Sequence, residues 1–291
     1  SFQGWWFRAT FRFRPVRISL PVVASPRGGR VSPGMTVLQD AEHAVGESEG
    51  GGTVDLWSAS LEPPAPLRAH LEGYLSIDER ERAARFVFPR DRNRFIAGRA
   101  FLRLLLAQYT ATDAASLRFR YGAHGKPALA DDRSEVAFNL AHTGSLAVCA
   151  LARGRDLGVD VERVRPIPDA DGIARSFFSP RETAELASLP EPARFRAFFD
   201  AWTRKEAVLK ALGDGLARPL DSFDVTLKPG DTPRLLRTLG DPEEADRFSL
   251  HSLEPEEGYV AAIAVRGHGW QVRHARWRWV ESRRAEGGEI R

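Results

Sequence analysis

The chain has 291 residues, which suits two domains or two fused halves at about 150 residues each. Hydrophobic residues make up 43% and charged residues 28%, and the formal net charge of +3 is too narrow a basic excess to point to nucleic acid. The single cysteine, Cys149, excludes an internal disulfide and any zinc site built on two cysteines; a cytoplasmic setting is expected. No run approaches 18 apolar residues, so no membrane span is expected.

In chain order, residues 1–53 read as an N-terminal extension. Ser1 to Leu20 is aromatic and arginine-rich, Pro21 to Pro33 carries proline, glycine and arginine, and Glu47 to Gly52 reads as a flexible linker. The only methionine is Met35, and translation is expected to start near it, with residues 1–34 not native. Val54 to Leu61 alternates as a strand should. Ser76-Ile77-Asp78-Glu79 is a capping box opening a short helix to about Arg85, and a longer helix follows over 90–109. Strands are predicted near 117–121, 135–140 and 145–152, where Cys149 reads as a buried core thiol.

The pattern then starts over. A strand at 157–161 and a helix at 171–178 precede a second capping box, Ser179-Pro180-Arg181-Glu182. A long helix over 192–212 stops at Gly213, and strands are predicted at 223–228, 248–254, 259–265 and 270–277. The expected fold class is α+β, with two pseudo-symmetric halves at 54–155 and 156–280, a ligand cleft between them and a polar tail at 281–291.

Four pieces carry chemistry. In Gly158-Val159-Asp160-Val161-Glu162, both carboxylates project from one face of a strand while Val159 and Val161 face the core. Two such charges repel by about 4 kcal/mol at 4 Å in an effective dielectric of 20, so the pair favours a hard cation, Mg²⁺ before zinc. Two solvated carboxylates at a strand end is the commoner arrangement when nothing else is known. On the long helix, Glu206 and Lys210 stand i,i+4 with Trp202 one turn earlier, which suits a metal ligand with a phosphate contact, a base with an acid, or a plain helix ion pair. Only four of the 42 basic residues are lysines (126, 205, 210 and 228), and two of them lie on this helix. Lysine can release a proton where arginine stays charged. Asn139 to Gly144 forms a donor-rich turn in which His142 suits a phosphate or a carboxylate. Gly125-Lys126-Pro127 is a turn that lacks the residues of a P-loop.

In this order the Gly-Lys-Pro, Phe-Asn-Leu-Ala-His-Thr, Gly-Val-Asp-Val-Glu and Trp-Thr-Arg-Lys-Glu-Ala-Val-Leu-Lys-Ala-Leu-Gly motifs resemble the Sfp-type 4′-phosphopantetheinyl transferases over roughly 54 to 280. That family moves the phosphopantetheine arm of coenzyme A to a serine of an acyl or peptidyl carrier protein and releases 3′,5′-ADP. The resemblance implies Mg²⁺ held by Asp160, Glu162 and Glu206, with Glu206 also the base for the serine. It implies Lys210 on the departing phosphate and Lys205 as a second phosphate contact. His142 and Thr143 would lie at the 3′-phosphate with Arg94 and Arg82, and Lys126 and Pro127 beside the adenine. Ala141 stands where many relatives have serine, so one hydroxyl contact is expected to be missing.

The partners implied are coenzyme A and an apo carrier protein, the latter recognised near Phe177 and Phe178. Neither nucleic acid nor membrane is expected as a partner, and the chain is expected to be a monomer. The rival readings are a Mg²⁺-dependent phosphohydrolase of a nucleotide diphosphate, which leaves the Asn139 and Gly125 turns without a role, and a nucleic-acid binder, which the near-balance of charge disfavours.

Overall fold

A computed structural model of the protein describes residues 52–131, 133–213 and 218–279. The expected extension up to residue 51 and the polar tail lie outside the described residues. The first half opens with β1 (Thr53–Ser60), followed by α1 (Ala65–Leu71), α2 (Ile77–Ala84) and the 22-residue α3 (Pro89–Thr110). A hairpin of β2 (Phe119–Tyr121) and β3 (Pro127–Leu129) leads to the antiparallel pair β4 (Val136–Thr143) and β5 (Leu146–Arg153). The second half repeats this course: β6 (Leu157–Arg163), α4 (Ala170–Phe177), α5 (Pro180–Ala187), a 22-residue α6 (Glu191–Leu212), the hairpin β7 (Phe223–Val225) and β8 (Leu235–Thr238), then β9 (Phe248–Leu253) and β10 (Tyr259–Arg266).

The two sheets share one topology, β1-β5-β4 in the first and β6-β10-β9 in the second, so the α+β class and the structural repeat are both present. The last strand, β11 (Gln271–Trp277), breaks the symmetry. Its position in the sequence groups it with the second half, but it lies parallel beside β1 in the first sheet, with Val272 opposite Val54 and Trp277 opposite Ala59. Strand pairing is decided by distant partners, which local pattern does not encode.

Each sheet buries both faces, which explains the near-continuous apolar runs of β5 and β10. Ala147, Cys149 and Leu151 of β5 pack with Phe101, Leu102, Leu105 and Leu106 of α3, while Leu146, Val148 and Ala150 pack against Val159, Val161 and Ile263 of the other sheet. Cys149 is fully buried, as expected. The second half mirrors this, with Val260, Ala262 and Ala264 of β10 under α6. Asn139 ties the two sheets together, its Oδ1 accepting a 2.8 Å hydrogen bond from the Val159 amide.

Both predicted capping boxes are present, and each does the same further job. Glu79 closes on the Ser76 amide and then meets Arg99 and Arg103 of α3; Arg103 Nε donates to it at 2.6 Å. Glu182 closes on the Ser179 amide and then meets Lys205 of α6 at 2.7 Å. Arg103 and Lys205 each occupy the fifteenth position of their helix. Each half is thus pinned by a buried carboxylate at one helix start, ion-paired to the next long helix.

Candidate active site

Alternation along β6 places Gly158, Asp160 and Glu162 toward α6, while Leu157, Val159 and Val161 enter the core between the sheets. Glycine at 158 is what lets the helix come down on the strand, because a Cβ there would overlap the Ala207 carbonyl oxygen and the Ala211 amide. A glycine on the carboxylate-bearing face of β6, whose other face carries Leu157, Val159 and Val161, was the available signal for this close approach. Gly158→Ala is expected to destabilise the protein by about 1–3 kcal/mol through overpacking, and to loosen the contact between helix and carboxylates. A lowered thermal midpoint together with slower turnover checks both.

Across this seam Lys210 Nζ lies 2.5 Å from Asp160 Oδ1. Asp160 Oδ2 is buried with no partner among the described residues. Thr143, at the end of β4, donates its hydroxyl to Glu162 Oε2 at 3.2 Å and brings the first half into the same cluster. Burial pushes the Asp160 carboxyl upward against the pull of Lys210. Burial and then Asp160 push Glu162 up to about 9. Burial, opposed by Lys210 and reinforced by Asp160, pushes Glu206 up to about 7. Burial alone would lower the Lys210 ammonium, but Asp160, Glu206 and Glu162 outweigh it and raise it. Three carboxylates share one ammonium, and the cluster is short of positive charge.

The donor chemistry of this cluster, three carboxylates with one oxygen orphaned, fits a hard divalent ion. The arrangement differs from the expected ready-made triad. Among the described residues no three His, Cys, Asp or Glu side chains converge closely enough to hold an ion as they stand. Lys210 instead places its ammonium beside Asp160 Oδ1.

Opposite this cluster stands a basic group. Neighbouring β4 residues face opposite ways, so Thr143 turns to Glu162 while His142 turns toward the helices of the first half. His142 is exposed to solvent, yet neighbouring protein encloses much of its surroundings. That enclosure, then the charges of Lys210, Arg94 and Arg82, holds its pKa below the ordinary value. Arg94 of α3 is ion-paired with Glu62 at 2.5 Å, and the Arg82 guanidinium of α2 lies 5.3 Å from the Phe95 ring centroid. The structure therefore gathers Asp160, Glu162, Glu206, Lys210, His142, Thr143, Arg82 and Arg94 around one junction.

Two of the expected contacts fall elsewhere. Lys205 is fully buried, donating to the Leu220 and Phe223 carbonyls as well as pairing with Glu182, so it is no phosphate contact. One residue before Glu206, it projects about 100° away around the helix, into the core. Lys126 likewise turns away from the junction's side chains. From the turn before β3, where Pro127 is half-buried, its Nζ donates to the Leu157 carbonyl at 2.9 Å and the Lys210 carbonyl at 2.6 Å. The negative end of α6 suits an ammonium there, and the bond braces the first half against the turn that carries Lys210. Lys126→Met is expected to leave both carbonyls unpaired and cost about 1–3 kcal/mol, as read by chemical denaturation.

Phe177 and Phe178 also depart from expectation as an exposed patch. Phe178 is buried against Phe198 and Trp202, and Phe177 is half-buried edge-on to Trp202. On the other side of α6, a recess lined by Arg196, Asp200, Arg204 and Glu254 has its charges largely paired with one another.

Fold and site together define an α+β protein made of two topologically equivalent halves, with an acidic cluster and a basic group facing each other where the halves meet. Two family models match it: the 4′-phosphopantetheinyl transferase superfamily over residues 156–264, and the 4′-phosphopantetheinyl transferase N-terminal family over residues 64–153. The chain is 39% identical over 241 residues to the 4′-phosphopantetheinyl transferase HetI of Nostoc sp., covering 82% of this chain and 93% of that one. It is 32% identical over 193 residues to the 4′-phosphopantetheinyl transferase Sfp of Bacillus subtilis, covering 66% and 82%. It is 29% identical over 228 residues to the human L-aminoadipate-semialdehyde dehydrogenase-phosphopantetheinyl transferase, covering 72% and 74%. The chain belongs to the 4′-phosphopantetheinyl transferase superfamily, as an enzyme of the Sfp type. Among the described residues, no helix is long and apolar enough to cross a membrane.

Proposed function

We propose that this protein transfers the 4′-phosphopantetheine arm of coenzyme A to a serine of an apo acyl or peptidyl carrier protein, releasing 3′,5′-ADP. It acts as a monomer in the cytoplasm and depends on Mg²⁺. The observation that carries this reading is the junction itself: carboxylates and an ammonium from β6 and α6 face His142, Arg82 and Arg94 from the first half. A diphosphate ester bearing a further phosphate matches that division, with its transferable end over the carboxylates and its 3′-phosphate over the basic side chains.

In this reading Arg82, Arg94, His142 and the Thr143 hydroxyl hold the 3′-phosphate end, far from the bond that breaks, which fixes the reacting geometry. The turn at Lys126 and Pro127 supports the adenine through its backbone and ring. Glu206, raised by burial to about 7, is a near-neutral base that takes the proton of the carrier serine. The serine oxygen forms its bond to the β-phosphorus as the bridging P–O bond breaks toward 3′,5′-ADP. Lys210, kept charged by three carboxylates, neutralises the oxygen that departs. Asp160, Glu162 and Glu206 would hold Mg²⁺, which when bound spreads the charge on the diphosphate oxygens.

Intact-mass measurement of apo carriers after incubation with coenzyme A and Mg²⁺ tests the reading. A gain of one phosphopantetheine arm is the expected result. Release of 3′,5′-ADP without carrier, at the same rate as with it, would overturn transfer in favour of hydrolysis.

A further inference from the structure

We infer that the cavity where the chain crosses between its two halves binds a phosphate-type oxyanion, at a site separate from the junction and independent of the transfer proposed above. The chain passes from one sheet to the other twice, from β5 to β6 and from β10 back to β11. The two crossings lie side by side, with the Arg266 amide donating to the Asp156 carbonyl at 2.9 Å. Between them is a cavity of about 410 Å³, lined by Gly154, Arg155 and Asp156 at the first crossing and Arg266, Gly267 and His268 at the second. That volume falls within the small-molecule range of roughly 300–1,000 Å³. Ala137, which also lines it, begins β4 where His142 ends it, so the cavity lies about 17 Å along the strand from the basic side of the junction.

The charge of this cavity is unbalanced. Arg155 makes no ion pair or hydrogen bond among the described residues. Arg266 meets Asp156 at 3.4 Å, with side chains 48% and 65% exposed, and a pair so open to water holds its partners weakly. The Asp156 carboxylate is also answered by the Lys126 ammonium, so Arg266 is not its sole counter-ion. Two guanidinium groups thus line a cavity with one carboxylate that a third cation already serves. A guanidinium fork grips a phosphate through two parallel hydrogen bonds, and two forks suit a dianion.

The rest of the lining leaves room and holds its shape. A Cβ at Gly154 or Gly267 would meet nothing within 4 Å, so a ligand can come down on the backbone at both crossings. The Arg266 guanidinium is steadied over the Phe248 ring, 5.0 Å from its centroid. His268 is a fixed wall, its Nδ1 2.8 Å from Ser249 Oγ and its Nε2 2.6 Å from the Asp246 carbonyl oxygen. Trp270, in the same crossing, buries an indole N–H that has no acceptor among the described residues.

The test titrates inorganic phosphate into the full chain by calorimetry, with coenzyme A saturating so that the junction is filled, for wild type, Arg155→Gln, Arg155→Lys and Arg94→Gln. Wild type is expected to bind one phosphate and to gain thermal midpoint with it. Arg155→Gln is expected to bind it about tenfold more weakly, as one charge-assisted contact is lost, and to match the wild-type midpoint when phosphate is absent. Arg155→Lys keeps the charge without the fork and is expected to fall between them, and Arg94→Gln to bind as wild type does. Equal phosphate affinity in wild type and both Arg155 variants overturns the site. Loss with Arg94→Gln alone assigns the ion to the junction and overturns it as well. Equal effects from sodium chloride at matched ionic strength overturn it in favour of screening, and equal binding of acetate overturns the preference for phosphate. Failure of the wild type to modify a carrier would overturn the transfer reading and leave this site standing.

Discussion

Replacing Glu206 with glutamine is expected to slow transfer about 10²–10⁴-fold, the usual contribution of a positioned base, with the thermal midpoint nearly unchanged. Glutamine keeps the shape and cannot take a proton. Its stability effect is small because two terms oppose: neutralising 206 removes repulsion from Asp160 and attraction to Lys210 together. The effect belongs in kcat rather than in the coenzyme A KM, since Arg82, Arg94 and His142 hold the far end of that ligand in the proposed pose. Initial rates by intact mass, alongside a melting curve, check both halves of the statement. A kcat near wild type would remove Glu206 from the reaction.

Glu79→Gln is expected to have the largest effect on stability, about 3–5 kcal/mol for breaking a buried ion pair. For a protein of this size that lowers Tm by about 6–20 °C, at about 2–4 °C per kcal/mol. Arg103 is 1% exposed, and its remaining bonds to the Ala114 and Leu117 carbonyls carry no compensating charge. The variant also separates the pH dependence. Burial raises the Glu79 carboxyl, but Arg99, the Arg103 bond and the Ser76 amide outweigh it and hold its pKa below the ordinary value. A depressed folded pKa stabilises fully above the ordinary glutamate range, near about 4.3, and that contribution fades as pH falls through the folded value. Wild type is expected to lose stability on acidification in that window, and the glutamine variant to lose less. Parallel slopes would show that Glu79 does not carry this dependence.

The same pair of positions shows how far reading the residues in order reaches. Ser76 with Glu79 and Ser179 with Glu182 are legible as helix starts, because capping is a bond between residues three apart. That each glutamate then pins a helix about twenty residues further on is not legible, since the partners Arg103 and Lys205 meet it only after the chain has turned back. Lys205 illustrates the resulting error. The family resemblance implies a phosphate contact there, yet Lys205 is the second half's counterpart of Arg103. The short α1, begun by Ala65 and Pro66 without a side-chain cap, and the three- and four-residue strands β3 and β8 carry too little periodicity to be read in advance.

By itself the amino-acid sequence determined the two long helices, their capped neighbours, the shared face of Asp160 and Glu162 and the i,i+4 stripe of Glu206 and Lys210. All of these are set by dihedral period and by contacts within one or two turns. Only the tertiary structure decided that Lys210 takes Asp160 as its partner, that Lys126 braces the end of α6, that β11 returns to β1 and that Phe86 to Phe88 stay in water while Phe178 does not. Those outcomes depend on which distant surfaces cover one another, and burial is a property of the packed chain that no single segment possesses.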